Sequence, residues 1–195
     1  MSFSFSDILF LFLLFLLLFL SVFLLTADKG KRISNVLPGL FFLAIFLNLA
    51  DSFLLLKQFY MQFPRWALWG SSMILACGPL LLLYVQSILY KDFHYKHVWL
   101  LHFIPFIVLF VFTEISYLAA GEMKQMQVLQ NILNRKLPAA FYIPAAFIYI
   151  HFIAYLVKAF GLVRQYSRAA VNKFSNEQNV TLRWLRTVIL FFLLL

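Results

Sequence analysis

Residues Ile8 to Leu25 read ILFLFLLFLLLFLSVFLL, and every position except Ser21 is apolar. A helix that is apolar around its whole circumference has no face to turn toward water, so it is buried in protein or in lipid. About 20 such residues cross a hydrocarbon core of about 30 Å while closing every backbone hydrogen bond internally. This stretch therefore reads as a membrane span. No basic residue precedes it and no small-residue cleavage site follows before Asp28, so a retained span is expected rather than a removed signal.

The rest of the chain has the same character. Of 195 residues, 64% are hydrophobic and 12% charged, with a mean hydropathy of +0.91. A soluble domain keeps roughly a quarter of its residues charged. Four further segments are long and apolar enough to cross: 36–56, 66–90, 98–117 and 137–157. A sixth run, 182–195, would rise only about 21 Å as a helix, short of a bilayer. The expectation is an all-α polytopic transmembrane bundle in a single membrane domain, 1–195, with five complete spans and a truncated sixth. The connection 118–136 has mixed polarity that suits a short surface helix. The connection 158–181 is the most basic in the chain.

The net charge of +9 raises nucleic acid as a partner. In a membrane protein it is better read through the excess of Lys and Arg in cytoplasmic loops. The first, third and fifth connections, with the mouth of the sixth run, hold eleven of the 16 basic residues. The second and fourth hold the remaining five: Lys57, Arg65, Lys124, Arg135 and Lys136. That asymmetry puts the N-terminus outside and the odd connections in the cytoplasm. Trp66, Trp69, Trp99 and Trp184 fall near span ends, as an interfacial aromatic belt does.

Polar residues inside spans are few. Asn48 and Asp51 are three apart and share a helix face. On these boundaries Asp51 lies in the outer half of its span, where an ionisable group is a functional-site hypothesis. With Ser71, Ser72, Glu114 and Tyr142, the pair could line a pocket open to the outside for a small-molecule ligand. The plainer alternative is that Asn48 and Asp51 are interhelical hydrogen-bond glue. His94, His97 and His102 match no zinc-ligand pattern, and no metal site is expected. A haem between His102 and His151 needs matching depth, and His151 reads as several ångströms deeper. Pro79, Pro105 and Pro144 read as span-interior prolines that bend helices. The lone Cys77 reads as a small buried residue. No phosphate-binding loop, nucleophile elbow or zinc-protease motif is present, so neither catalytic residues nor a cofactor are expected.

Several motifs recur in an order that suggests a family. These are Leu47-Asn48-Leu49-Ala50-Asp51, Phe63-Pro64, Gly78-Pro79-Leu80-Leu81, Tyr84-Val85-Gln86-Ser87, Leu101-His102-Phe103-Ile104-Pro105-Phe106 and Leu182-Arg183-Trp184-Leu185-Arg186. Together they resemble the N-terminal membrane region of membrane-bound AraC-type transcription regulators. That resemblance implies about seven spans in a bacterial inner membrane, followed by a cytoplasmic helix-turn-helix domain beyond residue 195. It implies a sensory or anchoring role here, with DNA contacted only through that domain, and it admits a homodimer. Arg183, Trp184 and Arg186 then become candidates for a cytoplasmic relay. A fragment of a transporter or permease is the alternative; such proteins show internal repeats and midplane binding residues, whereas this sequence shows no repeat and brings few polar residues to the midplane.

Overall fold

The computed structural model describes residues 4–94, 96–136, 138–139, 142–173, 185 and 187, with only the backbone for 169–173. The described residues form helices α1 (Phe5–Thr26), α2 (Arg32–Leu56), α3 (Ile74–Leu89), α4 (Ile104–Ala119), α5 (Glu122–Leu133) and α6 (Tyr142–Lys173), with no strand among them. Five helical segments are long and apolar enough to cross a membrane: Phe5–Thr26, Arg32–Leu56, Pro64–Leu89, His97–Ala119 and Tyr142–Arg168.

The packing order is α1 on α2, α2 on α3, and α3 on α6. On α1 the buried positions are Asp7, Leu14, Leu17 and Ser21, a stripe at heptad spacing, while Phe12, Phe15, Phe19 and Phe23 point outward. That outward surface far exceeds the few hundred Å² of contiguous apolar patch a soluble monomer shows. In lipid no hydrophobic force drives helices together, so close contact must come from shape and hydrogen bonds. Gly39 supplies both to the α1–α2 pair. A Cβ there would sit 2.9 Å from the Leu25 side chain, and the Gly39 carbonyl accepts a 2.9 Å hydrogen bond from Ser21 Oγ. Helix α3 is central, with twelve of its 16 residues buried. It meets Leu37, Phe41 and Ala44 of α2, and Leu156, Ala159 and Val163 of α6. Of α4 only Tyr117 is buried.

Polar ties sort the connections into two ends. At one end Lys57 Nζ, just past α2, pairs with Asp7 at the start of α1 at 2.5 Å. At the same end the Tyr117 hydroxyl, late in α4, donates to the Pro64 carbonyl at 2.7 Å. At the other end Lys31 Nζ, ahead of α2, donates to the carbonyls of Tyr90 and Lys91, just past α3. The first and third connections thus meet at the Lys31 end, and the second and fourth meet at the Asp7 end.

Several sequence boundaries need correction. The third segment is broken: a 3-10 turn at Pro64–Trp66 and another at Ser71–Met73 precede α3. The fourth opens as a 3-10 helix, His97–Phe103, before α4. Pro105 therefore sits in the first turn of α4, where a missing N–H breaks no hydrogen bond. Pro144 is likewise in the first turn of α6. Neither is interior to an α-helix, although Pro105 does lie inside the segment His97–Ala119, whereas Pro79 is inside α3 and Pro38 inside α2. Helix α6 does not end near residue 157 but continues to Lys173 without a break. The connection 118–136 holds α5, an amphipathic helix that buries Gln125 and Leu129. Of the sixth run only Leu185 and Thr187 are described; Leu185 is buried in the main core.

Candidate functional site

The largest polar cluster is built at the Asp7 end, around the turn that leads into α3. Asp51 is five residues from the end of α2 and 3% exposed. The Tyr60 hydroxyl donates to Asp51 Oδ1 at 2.8 Å, and Trp69 Nε1–H donates to that hydroxyl at 2.9 Å. Asn48 Nδ2, one turn earlier, donates to the Gly70 carbonyl at 3.1 Å and to the Ser71 carbonyl at 3.4 Å. The shared Asn48–Asp51 face is thus the face on which the Leu68–Ser71 turn is seated.

Close approach makes this possible. A Cβ on Gly70 would lie 2.5 Å from both Asp51 Cβ and the Leu47 carbonyl oxygen. Leu68 has φ of 71°, a left-handed conformation rare for a branched residue. Its strain is offset by the hydrogen bonds the turn accepts from Asn48.

The cluster extends toward α4 and α5. The Ser72 and Thr113 hydroxyls meet at 3.5 Å, and Ser72 is buried. Glu114, one residue on, is within electrostatic reach of both Asp51 and Tyr117. Gln125 of α5 donates to the Tyr117 carbonyl at 3.0 Å, while its Oε1 is buried with no partner among the described residues. Tyr60 is 1% exposed and packs with Ala67, Tyr117 and Leu129. Burial and the Asp51 carboxylate both push its phenol above the ordinary tyrosine range.

Of the six sequence-derived candidates, Asn48, Asp51, Ser71 and Ser72 come together here, and Glu114 lies beside them. Ser71 turns its hydroxyl to the Leu68 carbonyl at 2.7 Å and is otherwise exposed. Tyr142 is 60% exposed at the start of α6 and joins no hydrogen bond of this cluster. Arg183, Trp184 and Arg186 lie outside the described residues. The sequence reading missed Tyr60, Trp69, Tyr117 and Gln125, which complete the cluster. Tyr60 and Trp69 gave a weak signal because aromatic residues in connections are expected at any interface, and Tyr117 and Gln125 because their partners lie on other elements.

A second polar group sits between the 3-10 helix His97–Phe103 and α6. His102 Nδ1 and the Tyr155 hydroxyl are 2.8 Å apart, and the His151 ring stands 4.8 Å from the Tyr155 ring. Both His151 ring nitrogens are buried without a partner among the described residues. The two histidines therefore flank one tyrosine. Gly78 of α3 leaves room for that ring, since a Cβ there would be 3.1 Å from Tyr155. Among the described residues no three His, Cys, Asp or Glu side chains gather as a metal site would require.

No protein-family model, curated protein or solved structure matches this chain.

Proposed function

We propose that the chain is the membrane-embedded sensory or anchoring module of a transcription regulator, relaying to a cytoplasmic DNA-binding domain. The observation that carries this reading is the Trp69–Tyr60–Asp51 hydrogen-bond chain. It ties α2 directly to the turns that precede α3, under a cap provided by α5. A ligand that competes for these groups would loosen the seat of that turn and shift the packing of α2 on α3. It can do so only by its differential affinity for the two arrangements. The acceptors on offer are Asp51, Glu114 and Gln125 Oε1, which has no partner among the described residues, so the favoured ligand is a donor-rich or cationic small molecule.

The charge asymmetry supports the orientation: the Lys31 end faces the cytoplasm of a bacterial inner membrane, and the Asp7 end faces out. The resemblance to membrane-bound AraC-type regulators supports the output. The test places Asp51→Asn and Tyr60→Phe at the native locus and compares transcript profiles with wild type. A regulator gives a small, shared set of altered transcripts in both variants. Unchanged transcripts would refute the reading, and a loss of uptake of a small solute in their place would favour the transporter alternative.

A further inference from the structure

The Lys31 end carries a feature that the sensory reading does not use. A groove of about 440 Å³ opens between the end of α3 and the start of the 3-10 helix at His97. Its lining includes Lys91, Lys96, His94, Phe93, Trp99 and Asp92. Lys91, Lys96 and His94 are all exposed. Lys31, whose ammonium is held on the carbonyls of Tyr90 and Lys91, adds a third lysine at the rim. Asp92 is the single acid among the described lining residues. The His94 ring is set by a 2.9 Å hydrogen bond to the Asp92 carbonyl. A carbonyl can only accept, so Nδ1 carries the proton of this bond. One wall is stiff and apolar: the Phe93 and Trp99 rings stack at 4.2 Å and 15°.

We propose that this groove binds the phosphate of an anionic amphiphile, the headgroup of an anionic phospholipid. Lysines act on phosphate as point charges; two line the groove, and a third, Lys31, is held on the backbone of lining residues Tyr90 and Lys91. The stacked aromatic wall suits the glycerol and first methylenes of a lipid, as interfacial aromatics do. The groove also lies at the mouth of two membrane-crossing segments, where headgroups are concentrated. A zwitterionic headgroup brings no net charge to match the lysines. A free phosphate shares the anionic chemistry but makes no use of the apolar wall.

The test is native mass spectrometry of the detergent-solubilised chain with added phosphatidylglycerol, phosphatidylcholine or inorganic phosphate. Wild type should retain phosphatidylglycerol over phosphatidylcholine. At about 1 kcal/mol per surface lysine, Lys91→Gln should weaken retention about fivefold, and Lys91→Gln with Lys96→Gln about twenty-five-fold. The same charge removed at the other end, Lys124→Gln with Lys136→Gln, should leave it unchanged. Equal retention of the two lipids, or equal loss in both double variants, overturns the proposal. Inorganic phosphate that binds the wild type while phosphatidylglycerol does not also overturns it, and identifies a soluble anion as the occupant.

Discussion

Gly70→Ala tests the polar cluster at its tightest point. Gly70 has φ of −84°, a conformation open to any residue, so the glycine is needed for space alone. The added methyl would lie 2.5 Å from Asp51 Cβ and from the Leu47 carbonyl oxygen. Carbon contacts are comfortable at about 3.5–4.0 Å, so α2 and the turn must part by about 1 Å. Overpacking of this kind costs about 1–3 kcal/mol. The 3.1 Å bond from Asn48 and the 2.8 Å bond from Tyr60 to Asp51 are then stretched. Each contributes about 1 kcal/mol. The expected loss is about 3–5 kcal/mol, or about 10 °C in melting temperature for a chain of this size.

Cys77 provides the readout, since it is the only cysteine and is fully buried. A thiol-reactive fluorogenic dye will label it only as the bundle opens on heating. Gly161→Ala is the control: nothing lies within 4 Å of its Cβ position in α6. Alanine there should be neutral, or stabilising by up to about 1 kcal/mol from helix propensity. A Gly70→Ala protein that melts within about 2 °C of wild type would refute the argument that this contact seats the turn.

Tyr60→Phe removes the link between Trp69 and Asp51, and should cost about 1–3 kcal/mol and shift the Trp69 fluorescence. Because folding raises the Tyr60 pKa, its contribution is complete below pH 10.0 and is lost as pH rises further, so wild-type stability should fall more steeply there than that of Tyr60→Phe. His151→Leu should leave stability unchanged or raise it, since both ring nitrogens are buried without a partner among the described residues and an apolar replacement removes that cost; a loss above about 1 kcal/mol would show that the nitrogens are satisfied in the membrane. Single cysteines at Asp28 and Gln58 in a Cys77→Ala background should react with impermeant maleimide from opposite sides of the membrane. Labelling of both from one side would overturn the two-end arrangement.

Hydropathy revealed where apolar helices lie because lipid imposes one strong demand on every residue of a span. It could not reveal how those helices begin. The 3-10 stretches at Ser71–Met73 and His97–Phe103 lead straight into α3 and α4, and a hydropathy window long enough to find a span averages over both. The end of α6 was misplaced for a related reason. Lys158 marks where the chain turns basic, but Lys, Arg and Gln are good helix formers and do not stop a helix. In the polar cluster, Asn48 and Asp51 were legible because polar groups in a span stand out against their surroundings. Tyr60 and Trp69 were not, because their partner is nine residues away across a turn whose path depends on the space left by Gly70.

The length of α6 fixes a matter of phase. Its 32 residues extend about 48 Å, against about 30 Å of hydrocarbon, so the last turns continue beyond the membrane as one rod. No joint separates the depth of His151 from Lys173, and any roll of α6 about its axis at Tyr155 is delivered undiminished at its far end. The stretch after Arg164 therefore keeps a fixed angular bearing relative to Tyr155. Each residue inserted there turns everything beyond by about 100°. Insertions of four or seven nearly restore the original bearing, whereas two or five point the far end to the opposite side.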